Sequence, residues 1–218
     1  MKKQITYIAL LTWFISMTQV QAATSLPTSD QALQMLLDGN DRFVTGNIKH
    51  VDYLAEAKDK LIDQQSPFAV IIGCSDSRVP PELVFDRGLG ELFVVRDAGN
   101  VIGPIEMDSV EFAVAALHVP LVVVLGHQNC GAVKAVLSEK GKYPELDYIG
   151  PLIQDALKKC EITGANALAN AIHCNVSKGV HTLKNSPTIA PLLLQKKVRI
   201  VGAYYEIATG KVSLIGDQ

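Results

Sequence analysis

Phe68-Ala69-Val70-Ile71-Ile72-Gly73-Cys74-Ser75-Asp76-Ser77-Arg78 decides the fold: five uninterrupted apolar residues, then a glycine and a run of small polar and charged ones. An apolar run this short, β-branched at Val70, Ile71 and Ile72 and preceded by Pro67, predicts a strand buried on both faces. Leu92-Phe93-Val94-Val95 and Leu121-Val122-Val123-Val124-Leu125 read the same way, and Val198-Arg199-Ile200-Val201-Gly202-Ala203 supplies a fourth run. Helical patterns over 105–117 and 130–140 lie between them. Such alternation predicts the α/β class, with a central, mainly parallel sheet of about four parallel strands flanked by helices. The segment 211–215, after the Thr209-Gly210 turn, is expected to return as an antiparallel edge strand.

Upstream of the sheet, Ser29 or Asp30 is expected to cap a helix with Ala32, Leu33, Leu36, Leu37 and Phe43 near one face, ended or bent at Gly39-Asn40. A second amphipathic stretch covers 54–61. The apolar faces of these N-terminal helices are expected to extend to a partner subunit.

The chemistry gathers where the strands end, which in open parallel sheets is where ligands bind. The first strand runs into Cys74, and the third runs into Gly126-His127-Gln128-Asn129-Cys130-Gly131. Two thiols and one imidazole suit a tetrahedral zinc ion with its fourth position free. Taken singly, a cysteine after a strand reads as a small buried hydrophobe and a histidine as a hydrogen-bonded core residue. Together, zinc competes with a redox or a structural role, and the redox role lacks its usual Cys-x-x-Cys spacing.

The chain begins with Lys2 and Lys3, an apolar stretch over 5–17, and Val20-Gln21-Ala22-Ala23, a pattern that predicts a signal peptide over 1–22 and a single mature domain over 23–218. The apolar stretch is shorter than the roughly 20 residues a membrane-spanning helix needs. The expected product is exported and periplasmic or secreted, with no membrane attachment after cleavage. Its net charge of −2 and scattered Lys and Arg exclude a basic stripe, so no nucleic-acid partner is expected and a small-molecule function fits. Cys160 and Cys174 are open between a disulfide and two buried thiols.

In the same order along the chain, Gly39-Asn40-Asp41-Arg42-Phe43, Cys74-Ser75-Asp76-Ser77-Arg78, Val94-Val95-Arg96 with Ala98-Gly99-Asn100, His127-Gln128-Asn129-Cys130, Asn175-Val176 with Ser186-Pro187, and Tyr205-Glu206-Ile207 with Thr209-Gly210-Lys211-Val212 resemble the beta-class carbonic anhydrases. Each piece is weak alone and the ordered set is specific. The resemblance implies one Zn2+ per subunit on Cys74, His127 and Cys130, and reversible hydration of carbon dioxide to bicarbonate by hydroxide generated on the metal. It implies that Asp76 and Arg78 form a catalytic pair, with Asp76 able to become a fourth ligand in a closed state. Asp76 also reads as the cap of a helix starting near Ser77. The resemblance further implies that Gln65, Phe93, Gly99 and Phe112 bind substrate, core packing being the alternative for Phe93 and Phe112. It also implies a homodimer or tetramer. Two departures matter: Asp97 stands where many relatives carry Asn, and the single Trp, Trp13, lies in the segment expected to be removed. A zinc hydrolase acting on carbon disulfide or carbonyl sulfide, or a zinc-binding module without catalysis, keeps the same fold.

Overall fold

The computed structural model describes residues 26–49, 59, 61–138, 144–158 and 160–216. The expected signal peptide over 1–22, its cleavage point, and most of the amphipathic stretch over 54–61 lie outside the described residues.

The elements in chain order are α1 (Ser29–Thr45), β1 (Ala69–Cys74), α2 (Pro81–Val84), β2 (Leu92–Asp97), α3 (Pro104–Ala115), β3 (Leu121–His127) and α4 (Gly131–Ser138). A single 3-10 turn (Pro144–Leu146), α5 (Ile149–Leu157), α6 (Ala167–Lys184), α7 (Ala190–Leu194), β4 (Arg199–Glu206) and β5 (Lys211–Ile215) complete them. The sheet order is β2-β1-β3-β4-β5, parallel throughout except for the antiparallel β5. This is the expected α/β class with four parallel strands and an edge strand. β1 connects outward to β2 on one side while β3 and β4 build on the other, so the strand order reverses between β1 and β3. A crevice at the carboxyl ends of those two strands is where such sheets bind ligands.

β1 and β3 are buried along their whole length, as the apolar runs predict. β2 is only half-buried, against the expectation of burial on both faces, because it is the edge strand and lacks a neighbour on one side. One layer packs Ile71, Leu121, Val123, Leu125 and Tyr205 against Ala32, Leu33 and Leu36 of α1. The opposite layer packs Val70, Ile72, Val122 and Val124 against α3 and α6 through Val110, Ala113, Val176 and Val180. A third cluster, at the carboxyl end, joins Cys74 and Cys130 to Val133, Ile153 and Ile172.

α1 departs from expectation in two ways. Its cap is Thr28, whose side chain accepts from Gln31 N while Gln31 reaches back to the Thr28 N–H in a capping box. Gly39-Asn40 does not end it: both are buried, and Asn40 donates to the Val84 and Gly210 carbonyls and accepts from Val212 N. Tertiary hydrogen bonds thus satisfy an asparagine that local preference alone would place at a helix end. α1 lies on its own chain's sheet.

α5 and α6 have no counterpart among the expected helices; Cys160 follows α5 and Cys174 lies inside α6, so the two cysteines flank the link between the helices. The structure closes these cysteines into a disulfide, Cα atoms 6.3 Å apart and 14 residues apart in sequence. A loop of that size removes about 3 kcal/mol of chain entropy from the unfolded state. Replacing both cysteines by serine is expected to lower the thermal midpoint by about 6–12 °C, as a differential scan of oxidised protein would read; an unchanged midpoint would contradict it. Among the described residues no helix is long and apolar enough to cross a membrane.

Candidate metal centre

Each reactive residue stands on a strand end. Cys74 is the last residue of β1, His127 the last of β3, and Cys130 follows three residues later, just ahead of α4. Asn129 makes that turn in the left-handed region, φ 56°, a conformation asparagine tolerates. The donor atoms of Cys74, His127 and Cys130 all lie within 4.8 Å of one another, and all three residues are buried. Two loops 53 residues apart in sequence therefore converge at the crevice.

The donor set fits a zinc ion. Two sulfurs and one imidazole are borderline-soft ligands of the kind zinc takes, and ligands of one ion stand roughly 4 Å apart. His127 Nδ1 donates to the Gln128 carbonyl at 3.0 Å, which fixes the tautomer and leaves Nε2 as the acceptor. That Nε2 is buried with no hydrogen-bond partner, a costly arrangement unless a cation takes its lone pair.

The sulfurs are prepared in the same sense. Cys74 Sγ accepts from Gly99 N at 3.3 Å. A hydrogen bond from the Cys130 thiol, stronger in effect than the burial opposing it, holds the Cys74 thiol well below its ordinary range, and the same bond pushes Cys130 up. A divalent cation needs its sulfur ligands deprotonated, so its affinity should fall in acid.

Beside the sulfurs, Arg78 grips Asp76 with a fork: Nε to Oδ1 at 2.9 Å and Nη2 to Oδ2 at 2.7 Å. The Arg78 N–H adds a third bond to Oδ1 at 2.9 Å, and Nη2 also reaches the Asn129 carbonyl at 3.5 Å. Ser77-Arg78 is a turn, and the next helix starts only at Pro81, so Asp76 closes a turn and does not cap a helix. Arg78's hydrogen bonds hold the Asp76 carboxyl far below the usual carboxylate range. A depressed acid keeps its stabilising charge above its unfolded value and loses it only as pH falls through the folded one, so this pair persists in mild acid. Asp76 Oδ2 lies 4.0 Å from His127 Nε2.

Arg96 supports the same loop, a role that the sequence did not reveal. From β2 it donates to the carbonyls of Cys74 at 3.0 Å and Asp76 at 2.8 Å, tying the end of β1 in place. Only the register, which sets Arg96 opposite Gly73, makes this visible.

Asp97 ends β2 opposite Cys74. Its Oδ1 accepts from Val101 N at 2.9 Å, while Oδ2 is buried without a partner. Burial pushes its carboxyl up to about 7, against the pull of the Val101 N–H, with Glu106 and Cys74 adding to the rise. An acid raised in the folded state stabilises while it holds its proton, and that contribution is lost as pH climbs from about 4, the unfolded value, to about 7. Asp97→Asn is thus expected to stabilise the metal-free protein more at pH 8 than at pH 5. Urea titrations at both pH values would read this, and an equal gain at each would count against it.

The remaining expected site residues fall in two groups. Gly99 reaches the centre through its N–H. Gln65 is exposed in the segment before β1, and Phe93 sits on β2 four residues ahead of the strand's end. Phe93 meets Phe112 of α3 with ring centroids 6.4 Å apart, and Phe112 is 52% exposed. Within one chain these three are not gathered at the metal ligands.

Comparison with known proteins gives a consistent result. The family model described as carbonic anhydrase matches residues 69–212. A carbonic anhydrase of Mycolicibacterium smegmatis is 40% identical over 196 residues, covering 85% of this chain and 94% of that protein. Among solved structures, a tetrameric beta-carbonic anhydrase from Sordaria macrospora superposes with a TM-score of 0.67 at 25% identity, covering 85% of this chain and 98% of the other. The Coccomyxa beta-carbonic anhydrase, in complex with acetazolamide, gives 0.64 at 27% identity, with 84% and 86% covered.

Proposed function

Because the chain belongs to the beta-carbonic anhydrase family, we propose that it carries out the zinc-dependent, reversible hydration of carbon dioxide to bicarbonate and a proton, with Cys74, His127 and Cys130 holding one Zn2+ per subunit. The observation that carries the reading is the convergence of those three buried donors beside a carboxylate already occupied by Arg78. Zinc, when bound, supplies a Lewis acid that acidifies a water, as it does in the three-histidine carbonic anhydrases.

The residues of the chain do the rest. Cys74 and Cys130 bring negative charge to the ion, His127 its neutral Nε2, and the Gln128 carbonyl orients the ring. Arg78 keeps both oxygens of Asp76 engaged and so keeps the carboxylate from becoming a fourth ligand. An ionised Asp76 Oδ2 close to the metal ligands is placed to accept a hydrogen bond from a nucleophile and orient it. Gly99 contributes a backbone donor beside the site, and Gln65, Phe93 and Phe112 line a small apolar pocket suited to a molecule without a net dipole.

That pocket is completed across a subunit boundary in a homodimer or tetramer. Support comes from the half-exposed Phe112, the edge position of β2, and the tetrameric Sordaria relative. Export with cleavage after Ala22, leaving a domain over 23–218, is supported by Lys2, Lys3 and the apolar stretch after them, and by the Cys160–Cys174 disulfide, a bond kept in oxidising compartments.

Stopped-flow hydration on zinc-loaded protein, paired with metal analysis, tests the proposal. The expected result is one zinc per chain and turnover that disappears with the metal. Zinc bound without turnover would leave only a metal-binding module, and hydrogen sulfide release from carbonyl sulfide in preference to hydration would reassign the substrate.

A further inference from the structure

Three successive residues of α6 make contacts around the metal ligands. Cys174 joins α6 to Cys160, just past the end of α5. Asn175, 4% exposed, donates from Nδ2 to the Gly99 carbonyl at 2.7 Å. Val176 presses on Gly126, the residue before His127, where a Cβ would stand 2.6 Å from Val176 Cγ2 and 2.9 Å from Ile172 Cγ2. One helix, stapled at this point, therefore braces the loop after β2 and the end of β3.

Gly99 is the joint in that brace. Its N–H donates to Cys74 Sγ at 3.3 Å and its carbonyl accepts from Asn175, so the peptide units on either side of its Cα are each held by one partner. Its φ is +98°, and a Cβ would come within 2.9 Å of Ile153 Cδ1. Without the amide of Asn175 the Gly99 carbonyl would be buried and unpaired, a state proteins avoid. Glycine offers little resistance to turning that carbonyl toward water. The two dihedrals at Gly99 turn independently, so what keeps the N–H on the sulfur is the position of the Gly99 Cα, and the bond from Asn175 to the carbonyl pins that position.

We propose that Asn175 is a positioning residue of the metal centre: by fixing the Gly99 carbonyl it aims the Gly99 N–H at the Cys74 sulfur and so sets how firmly that sulfur grips an ion. The inference rests on the reading of Cys74, His127 and Cys130 as metal ligands.

The test is a cobalt(II) titration of the full chain against a competing chelator, read by the sulfur-to-cobalt charge-transfer absorption. Asn175→Leu keeps the volume and removes the donor. It is expected to weaken cobalt binding by roughly ten- to a hundredfold and to shift the charge-transfer band, while Asn175→Gln, which retains an amide, recovers part of the affinity. Should Asn175→Leu fail to fold, Asn175→Ala, smaller and likewise without the donor, decides between the same outcomes. A folded donor-less variant with wild-type affinity and an unchanged band would overturn the inference alone. A wild-type chain that bound no cobalt would overturn the ligand reading and this inference with it.

Discussion

Cys74→Ser is expected to abolish zinc binding and, with it, carbon dioxide hydration. Serine is close in size to cysteine and would sit in the same buried place at the end of β1, so the packing around it changes little. What changes is the donor. A hydroxyl with no charge replaces a sulfur whose thiolate is favoured by hydrogen bonds from Cys130 and Gly99, and only His127 and Cys130 remain for the ion. Loss of partners one shell further out costs metal sites about 10–100-fold in affinity, so loss of a ligand itself should exceed a hundredfold. Zinc content after dialysis against a weak chelator should fall from one per chain to near zero, and hydration should fall to the uncatalysed rate. A Cys74→Ser protein that kept both its zinc and its turnover would remove Cys74 from the site and end the proposed mechanism.

Arg78→Ala should keep the zinc and lose most of the activity. In the wild type the guanidinium takes both carboxylate oxygens of Asp76, which is largely buried, while Arg78 itself is half exposed. After truncation, the Arg78 N–H still holds Oδ1, but Oδ2, only 4.0 Å from His127 Nε2, loses its partner beside a cation. With zinc held by the three ligands, the freed oxygen is expected to turn onto the metal. Removal of one well-placed donor at a reacting centre costs about 10²–10³ in rate, and kcat/KM should fall by that much with the zinc content unchanged. The cobalt-substituted variant should also stop responding to added azide, because the carboxylate occupies the position an anion would take. Arg78→Lys should restore only a little, since an ammonium keeps the charge and loses the two-pronged geometry. Activity within a few-fold of wild type in Arg78→Ala would show that the pair does not control access to the metal.

The Asp97 and Asn175 variants probe the same centre from its outer side, one through a carboxyl that favours its proton and the other through a carbonyl that needs its donor. Neither residue is itself a proposed ligand. Both therefore separate the preparation of the site from the ligation itself.

By itself the sequence determined the strands and picked out the candidate ligands. Uninterrupted apolar runs have one economical fate in water, burial on both faces of a sheet, so β1 and β3 could be read directly, and the reactive residues that interrupt those runs had to lie at their ends. The tertiary structure alone decided how those ends meet. Strand order and register set Cys74 beside Asp97 and Arg96 beside the loop that holds Asp76, and neither leaves a trace in local periodicity. The same holds for α6: its buried asparagine and its cysteine carry no amphipathic signature of their purpose, because their partners, Gly99 and Cys160, become neighbours only once the chain has folded. Hydrophobic burial is encoded residue by residue along the chain, whereas hydrogen bonds between distant segments exist only in the packed state.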